Sequence, residues 1–266
     1  MERTGNFVPG KNGSMNLSEI KSLDGFRSIS LKEMDAVRLL DRVDTKFTFH
    51  FDQLPLILEE LKPFYRILSF KASRITRYKT EYFDTPELKL YTQHHNGKLN
   101  RWKVRERKYG GSGQCFFEVK FKNNKGRVIK ERIKIKELHD TIDGSSSPFL
   151  IQKTPYTPGM LEPVLTVLYD RITLVGYNLD ERLTIDTRLS FLAKGESCSF
   201  PWLVIAECKQ EKASCSPFIS LMRQHHIRKQ SVSKYCLGIA SLYPEVKKNN
   251  FKKKLHHINH LNHAHS

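Results

Sequence analysis

Long apolar runs are missing from this sequence. Nowhere do eighteen consecutive apolar residues occur, so no segment reads as a membrane-spanning helix. The opening MERTGNFVPGKNGSMN carries no apolar stretch of the secretory kind. Cysteine is sparse and unpatterned: Cys115, Cys198, Cys208, Cys215 and Cys236 form an odd set without a CxxC pair. That argues against a zinc site or a disulfide framework and for a reducing, cytoplasmic setting. Walker A, GxGxxG and HExxH signatures are absent as well. Acidic residues are the last shortage. Asp and Glu number 28 against 45 Lys and Arg, a net charge of +17. Such an excess calls for a polyanionic partner: nucleic acid, anionic lipid or a phosphate-rich small molecule.

What is present suffices for a fold. A chain of 266 residues with 39% hydrophobic content can bury a core without staples. Residues 1–28 are polar and read as a flexible lead-in. A short helix is expected around Leu31–Leu40, a strand over Arg42–Phe51, a helix over Gln53–Leu61, and strands near Phe64–Ser69 and Arg74–Phe83. The segment 84-DTPELKLYTQHH-95 opens with Asp84 or Thr85 as a cap and reads as a short helix. Strands over about 99–109, 115–122 and 126–136 are joined by GGSG and NNKG turns, which predicts an antiparallel meander. A helical turn follows near Pro148–Lys153, then strands at about 163–175, 180–191 and 201–209. Helices are expected after Ser216 and over Ser233–Leu242. The basic, His-rich stretch 246–266 predicts a disordered tail, with His256, His257, His260, His263 and His265 solvated rather than scavenging metal and its lysines able to brush anionic lipid. The pattern is α+β: an eight-stranded antiparallel β-barrel over residues 29–245, with helices packed outside and a lumen wide enough for one small ligand.

The strands alternate in an unusual way. In 101-RWKVRERKYG-110, Arg101, Lys103, Arg105 and Arg107 share a face; in 116-FFEVKFK-122, Glu118, Lys120 and Lys122 share one. Arg42, Asp44 and Lys46 do the same, as do Lys130, Arg132, Lys134 and Lys136, and Arg182, Thr184, Asp186 and Arg188. For a single strand the ordinary reading is a wet face over a buried one. Two features count against it. The charge is strongly one-signed between Arg101 and Lys136, where cross-strand repulsion would be unfavourable. Carboxylates also recur two residues before a lysine, as Asp44/Lys46, Glu118/Lys120 and Glu207/Lys209. Cations neutralise phosphate oxygens, and carboxylates such as Glu118 and Glu207 hold a hard divalent ion that bridges them. Trp102, Val104, Phe117 and Val119 fall at the opposite parity and read as packing residues, so no base-stacking platform for nucleic acid is expected. Glu131 and Asp186 fit supporting carboxylates or surface ion pairs equally well.

The ordered motifs RxDxKF, YFDTP, GKLNR leading into KVRERKYG, FFEVK, KGRVIK, YDR, ECK and SKY resemble the VTC domain, a polyphosphate polymerase module of the CYTH-like triphosphate tunnel metalloenzyme superfamily. The resemblance runs from about Asp41 to Leu242. It implies a tunnel that binds ATP and inorganic polyphosphate and moves the terminal phosphoryl group of ATP onto the chain with a divalent metal, Mn²⁺ or Mg²⁺. By motif, Lys46, Arg105, Arg107, Lys120, Arg171 and Lys234 match the family's phosphate-binding cations, and Glu207 its metal-binding carboxylate. Arg42, Arg101, Lys122 and Lys209 join them by parity, and His94 or His95 falls near a further basic position. Two departures stand out. Arg42 replaces the first carboxylate of the superfamily's hydrolytic ExExK motif, which suits a polymerase, and Ser231 stands where a basic residue is expected beside SKY, with Lys229 as the candidate substitute. A tripolyphosphatase or nucleoside triphosphatase on the same tunnel, or a non-catalytic polyphosphate binder, is the alternative. No SPX-like helical domain precedes the first motif in this sequence. A peripheral membrane or membrane-protein partner stays open.

Overall fold

The computed structural model describes residues 21–35, 42–178, 181–211 and 215–263. In chain order the elements are β1 (Ser28–Ile29), α1 (Leu31–Asp35), β2 (Arg42–His50), α2 (Leu54–Leu61), β3 (Tyr65–Leu68), β4 (Thr76–Asp84), α3 (Lys89–His95), β5 (Arg101–Tyr109), β6 (Cys115–Lys122) and β7 (Val128–Ile135). Then come α4 (Ser146–Lys153), β8 (Glu162–Gly176), β9 (Glu181–Ala193), β10 (Glu196–Phe200), β11 (Leu203–Glu211), α5 (Pro217–Gln224), α6 (Lys234–Leu242) and α7 (Lys252–His263).

Eight strands make one antiparallel path, β2-β11-β9-β8-β4-β5-β6-β7, with β1, β3 and β10 attached at its side. The expected meander is present: β5 pairs β6 and β6 pairs β7. Its two turns place Gly113 and Gly126 at φ 70° and 77°, a region that favours glycine. The expected closure of the barrel differs. Among the described residues β7 and β2 exchange no ladder, so the sheet curls without closing. The outer edge of β2 is instead met by a bridge from Lys229 to Phe47 and by Gln230, whose N–H donates to the Lys46 carbonyl.

Alternation explains why α2, α4 and α5 lie outside. Phe47 and Phe49 on β2, Val204, Ala206 and Cys208 on β11, Leu183 and Ile185 on β9, and Ile172 and Leu174 on β8 form one apolar outer face. Leu54, Ile57, Leu58 and Leu61 of α2 and Phe218 and Met222 of α5 cover it. Each such side chain contributes about 1.5–3 kcal/mol by leaving water. On the other wall Val104, Phe117 and Val119, with Trp102 beside them, pack under Phe149 and Leu150 of α4.

Four expectations change. Residues 21–29 are not a loose lead-in: Leu23, Phe26 and Ile29 are buried, and β1 pairs in parallel with β3. Strand β10 is additional, a hairpin return onto β9. The stretch expected to be a disordered tail forms α7 over Lys252–His263, because Leu255, Ile258 and Leu261 give it an apolar stripe that seats against Trp202 and its neighbours. Finally, Arg188 leaves the face shared by Arg182, Thr184 and Asp186. It adopts φ 51° beside a register shift between β8 and β9, and its guanidinium pairs with Asp170 at 3.2 Å on the opposite face, where Arg77 also meets Asp170.

Candidate functional site

The inward face carries the charge. Register puts Arg105 opposite Glu118, Lys103 opposite Lys120 and Arg101 opposite Lys122 across β5 and β6. Lys130 and Arg132 of β7 face Lys120 and Glu118 in turn. Across the sheet, Lys46 of β2 is opposite Glu207 of β11, and Arg171 of β8 is opposite Asp186 of β9. Lys234 opens α6 behind the cap Ser233, whose Oγ accepts from the Cys236 N–H. The curl of the sheet brings these walls together: Glu207 and Lys46 both act electrostatically on Lys120, although four strands separate β11 from β6 along the path.

Three carboxylates organise the cations. Glu207 Oε1 is 2.5 Å from both Lys46 Nζ and Lys209 Nζ, and Lys209 also reaches Asp44 at 3.7 Å. Glu118 accepts from Arg105 Nε at 2.7 Å, lies 2.5 Å from Lys130 Nζ and 3.9 Å from an Arg107 nitrogen. Asp186 takes a two-pronged contact from Arg171 at 2.6 and 2.7 Å and a short one from Lys234. Beneath the cations lies a floor of tyrosines. Arg105 sits over Tyr82, Arg107 over Tyr78, Arg171 over Tyr78 and Tyr169, and Lys234 over Tyr169 at 4.7 Å. Lys103 Nζ donates to Ser233 Oγ at 3.0 Å, and Arg107 Nε to Thr80 Oγ1 at 3.1 Å.

The crowding shows in the ionisation of these groups. Burial, with Lys103 and Arg105 beside it, pushes Lys120 down to about 8. Burial and Arg105 push Lys130 down to about 7. Burial also lowers Lys103, Lys209 and Lys234. For the carboxylates burial works the other way and loses. Arg171 and Lys234 bring Asp186 down to about 2; Lys209 and Lys46 hold Glu207, and Arg105, Arg107 and Lys130 hold Glu118, well below the usual carboxylate range. A face with this many cations and few anions attracts polyanions.

Of the residues named from the sequence, Lys46, Arg105, Arg107, Lys120, Arg171, Lys209, Lys234, Glu207 and Glu118 are brought to one inward face. Arg101 and Lys122 sit at the end of that face as cross-strand neighbours. The side chain of Arg42 lies outside the described residues. Glu118 is engaged by cations on the wall opposite Glu207, so the two do not form a ligand pair. Glu131 lies outside with Lys153 at 2.6 Å. His94, crowded by burial and by Lys103 and Arg101, falls to about 2 and stands as a neutral imidazole; His95 bonds Asn96 and Asn250 instead of facing the cavity. Asp84 caps α3 from a distance, accepting from the Leu90 and Tyr91 N–H groups at 2.8 Å, and holds the Tyr235 hydroxyl. Lys130 and the tyrosine floor were missed. Lys130 was legible as the closing lysine of KGRVIK; the tyrosines give no sign of their role until β4 and β8 are paired.

A divalent cation has limited protein support here. Among the described residues no three His, Cys, Asp or Glu side chains converge on one point. Glu207 alone, at the open cavity, fits a hard cation that keeps most of its ligands from phosphate oxygens and water. Among the described residues no helix is long and apolar enough to cross a membrane.

The inward-facing cations lie on a curled antiparallel sheet of the tunnel type. The chain matches the VTC domain over residues 41–243 and belongs to that family. The candidate adenylyl cyclase HpAC1 from Hippeastrum, described as having a dominant triphosphatase activity, shares the fold at a TM-score of 0.50 and 14% identity, covering 77% of this chain and 100% of its own. A candidate adenylate cyclase from Vibrio parahaemolyticus aligns at 0.46 and 15% identity, over 74% of this chain and 98% of its own. A Pyrococcus horikoshii protein aligns at 0.42 and 13%, over 75% and 98%. No curated protein matches the sequence.

Proposed function

We propose that this protein is a polyphosphate polymerase that transfers the terminal phosphoryl group of ATP onto a growing inorganic polyphosphate chain inside the cationic cavity. The observation that carries the reading is the grouping of Arg105, Arg107, Lys120, Lys130, Arg171 and Lys234 around one cavity whose carboxylates are all held by cations. The acceptor, a terminal phosphate oxygen, is already an anion and attacks the γ-phosphorus without a general base. The bond from that phosphorus to the β–γ bridging oxygen breaks, and ADP leaves carrying the electron pair. Lysines and arginines hold donor and acceptor in line and neutralise charge on the equatorial oxygens, which is most of what such a transfer needs. Glu207 would hold a divalent cation, which would supply further neutralisation of phosphate charge. Lys46 and Lys209, which grip Glu207, add cations beside it.

A triphosphatase needs a group that activates water. Glu118, Asp186 and Glu207 are each held by cations, which leaves them poor bases. The triphosphatase activity of the Hippeastrum protein keeps hydrolysis as the second reading. Incubation with ATP and Mn²⁺, followed by a polyphosphate gel, separates the two: long chains support the polymerase, and orthophosphate without chains supports the hydrolase. Chains formed undiminished by Glu207→Gln and Lys120→Ala would remove the site assignment.

A further inference from the structure

The last helix carries a pair of exposed, neighbouring histidines. In α7, Leu255, Ile258 and Leu261 turn toward the core, with Ile258 only 2% exposed. His256, His260 and His263 are exposed. Their spacing of four and three residues places them on one helix face. The imidazoles of His256 and His260 lie side by side, 6.5 Å between centroids and 27° between planes. His257 is turned away and meets Thr48 Oγ1 at 3.2 Å. In solvent a lone imidazole binds a metal weakly, whereas two on successive turns of a fixed helix chelate it.

We propose that His256 and His260 form a two-histidine site for a borderline divalent ion of the Ni²⁺, Cu²⁺ or Zn²⁺ class, with water completing the coordination. Imidazole nitrogen suits these ions, and the hard Mn²⁺ and Mg²⁺ of phosphate chemistry prefer oxygen, so the two sites take different metals. Bridging two turns also clamps α7. That helix borders the inner wall: it contacts β2 and β11, His257 reaches Thr48 two residues from Lys46, and the Trp202 indole N–H donates to the Ile258 carbonyl at 3.4 Å. The ion would therefore stiffen the segment that backs the Lys46–Glu207 wall. The site does not depend on the polymerase reading.

Trp202 supplies the readout. Titration of the full chain with Ni²⁺ alone, followed by calorimetry and tryptophan emission, is expected to show one ion per chain with quenching. His256→Asn or His260→Asn is expected to weaken binding by about 100-fold, since each removes the chelate. His225→Asn, which alters a distant histidine paired with Glu60, leaves it unchanged. Both replaced histidines are exposed, and an unaltered far-UV spectrum and metal-free emission verify that α7 stays folded. Absence of Ni²⁺ binding by the wild type, or wild-type affinity in the His256→Asn/His260→Asn double variant, overturns the proposal.

Discussion

The inner face of the sheet is two environments on the same strands. On β4 and β8 one stretch presents Tyr78, Tyr169 and Arg171 to the cationic cavity, and a few residues along the same face presents Tyr82, Leu165 and Val167 to α6. There Tyr235 stacks on Tyr82 at 4.9 Å, the Tyr243 hydroxyl reaches the Val164 carbonyl at 2.7 Å, and Gly238 comes so near Leu165 and Phe191 that a Cβ would lie 2.6 Å from each. The charged half is held by ion pairs. The apolar half is filled by a helix and is finished as folded. The contrast shows how one β-sheet provides both a strained cationic cavity and the packing that tolerates it: the helix that fills the apolar half delivers Lys234 and Ser233 to the charged half.

That division predicts different consequences for substitutions on the two sides. Asp186→Asn should have the largest effect on stability, about 3–5 kcal/mol, because it leaves Arg171 and Lys234 buried without their counter-ion. Thermal unfolding measures it, and saturating tripolyphosphate should restore part of the loss by binding only the folded form. Arg171→Ala or Arg105→Ala should lower the rate of phosphoryl transfer by about 10²–10³, the usual loss when one charge-stabilising donor is removed. A comparable drop from Leu237→Ala, in the apolar half, would erase the distinction. Gly238→Ala should cost about 1–3 kcal/mol by overpacking α6 against Leu165 and Phe191. Tripolyphosphate affinity of the folded variant, read by calorimetry, should stay near that of the wild type.

The last effect is in pH. A phosphate ligand favours the protonated lysines. With Lys130 down to about 7 and Lys120 to about 8, raising the pH through that window empties first one and then the other, and binding must take the proton back. Tripolyphosphate affinity should therefore fall from pH 7 to 9, by at most about tenfold per pH unit for each lysine. Lys120→Arg, which stays charged, should flatten the upper part of that decline.

Much of this could be read from the sequence, and the misses have physical causes. Period-two alternation placed Arg101 to Arg107, Glu118, Lys120, Lys46 and Glu207 on one face, because a pleated strand leaves no other choice. It failed at Arg188, where one residue in the left-handed region resets the parity. Composition misjudged α7: histidine and lysine mark a solvated segment, yet three apolar residues at helical spacing are enough once Trp202 and Tyr91 offer a surface. The pairing of acids with bases was legible only in part. Glu207 does take Lys209 two residues on, whereas Glu118 precedes Lys120 in sequence but is held by Arg105 and Lys130 of the flanking strands.

The most direct test of the central claim is the product made from ATP and Mn²⁺ by the wild type beside Lys120→Ala and Glu207→Gln. The account predicts long polyphosphate chains from the wild type and a loss of chain synthesis in both variants with the fold intact. Orthophosphate alone from the wild type, or equal chains from all three proteins, would contradict it.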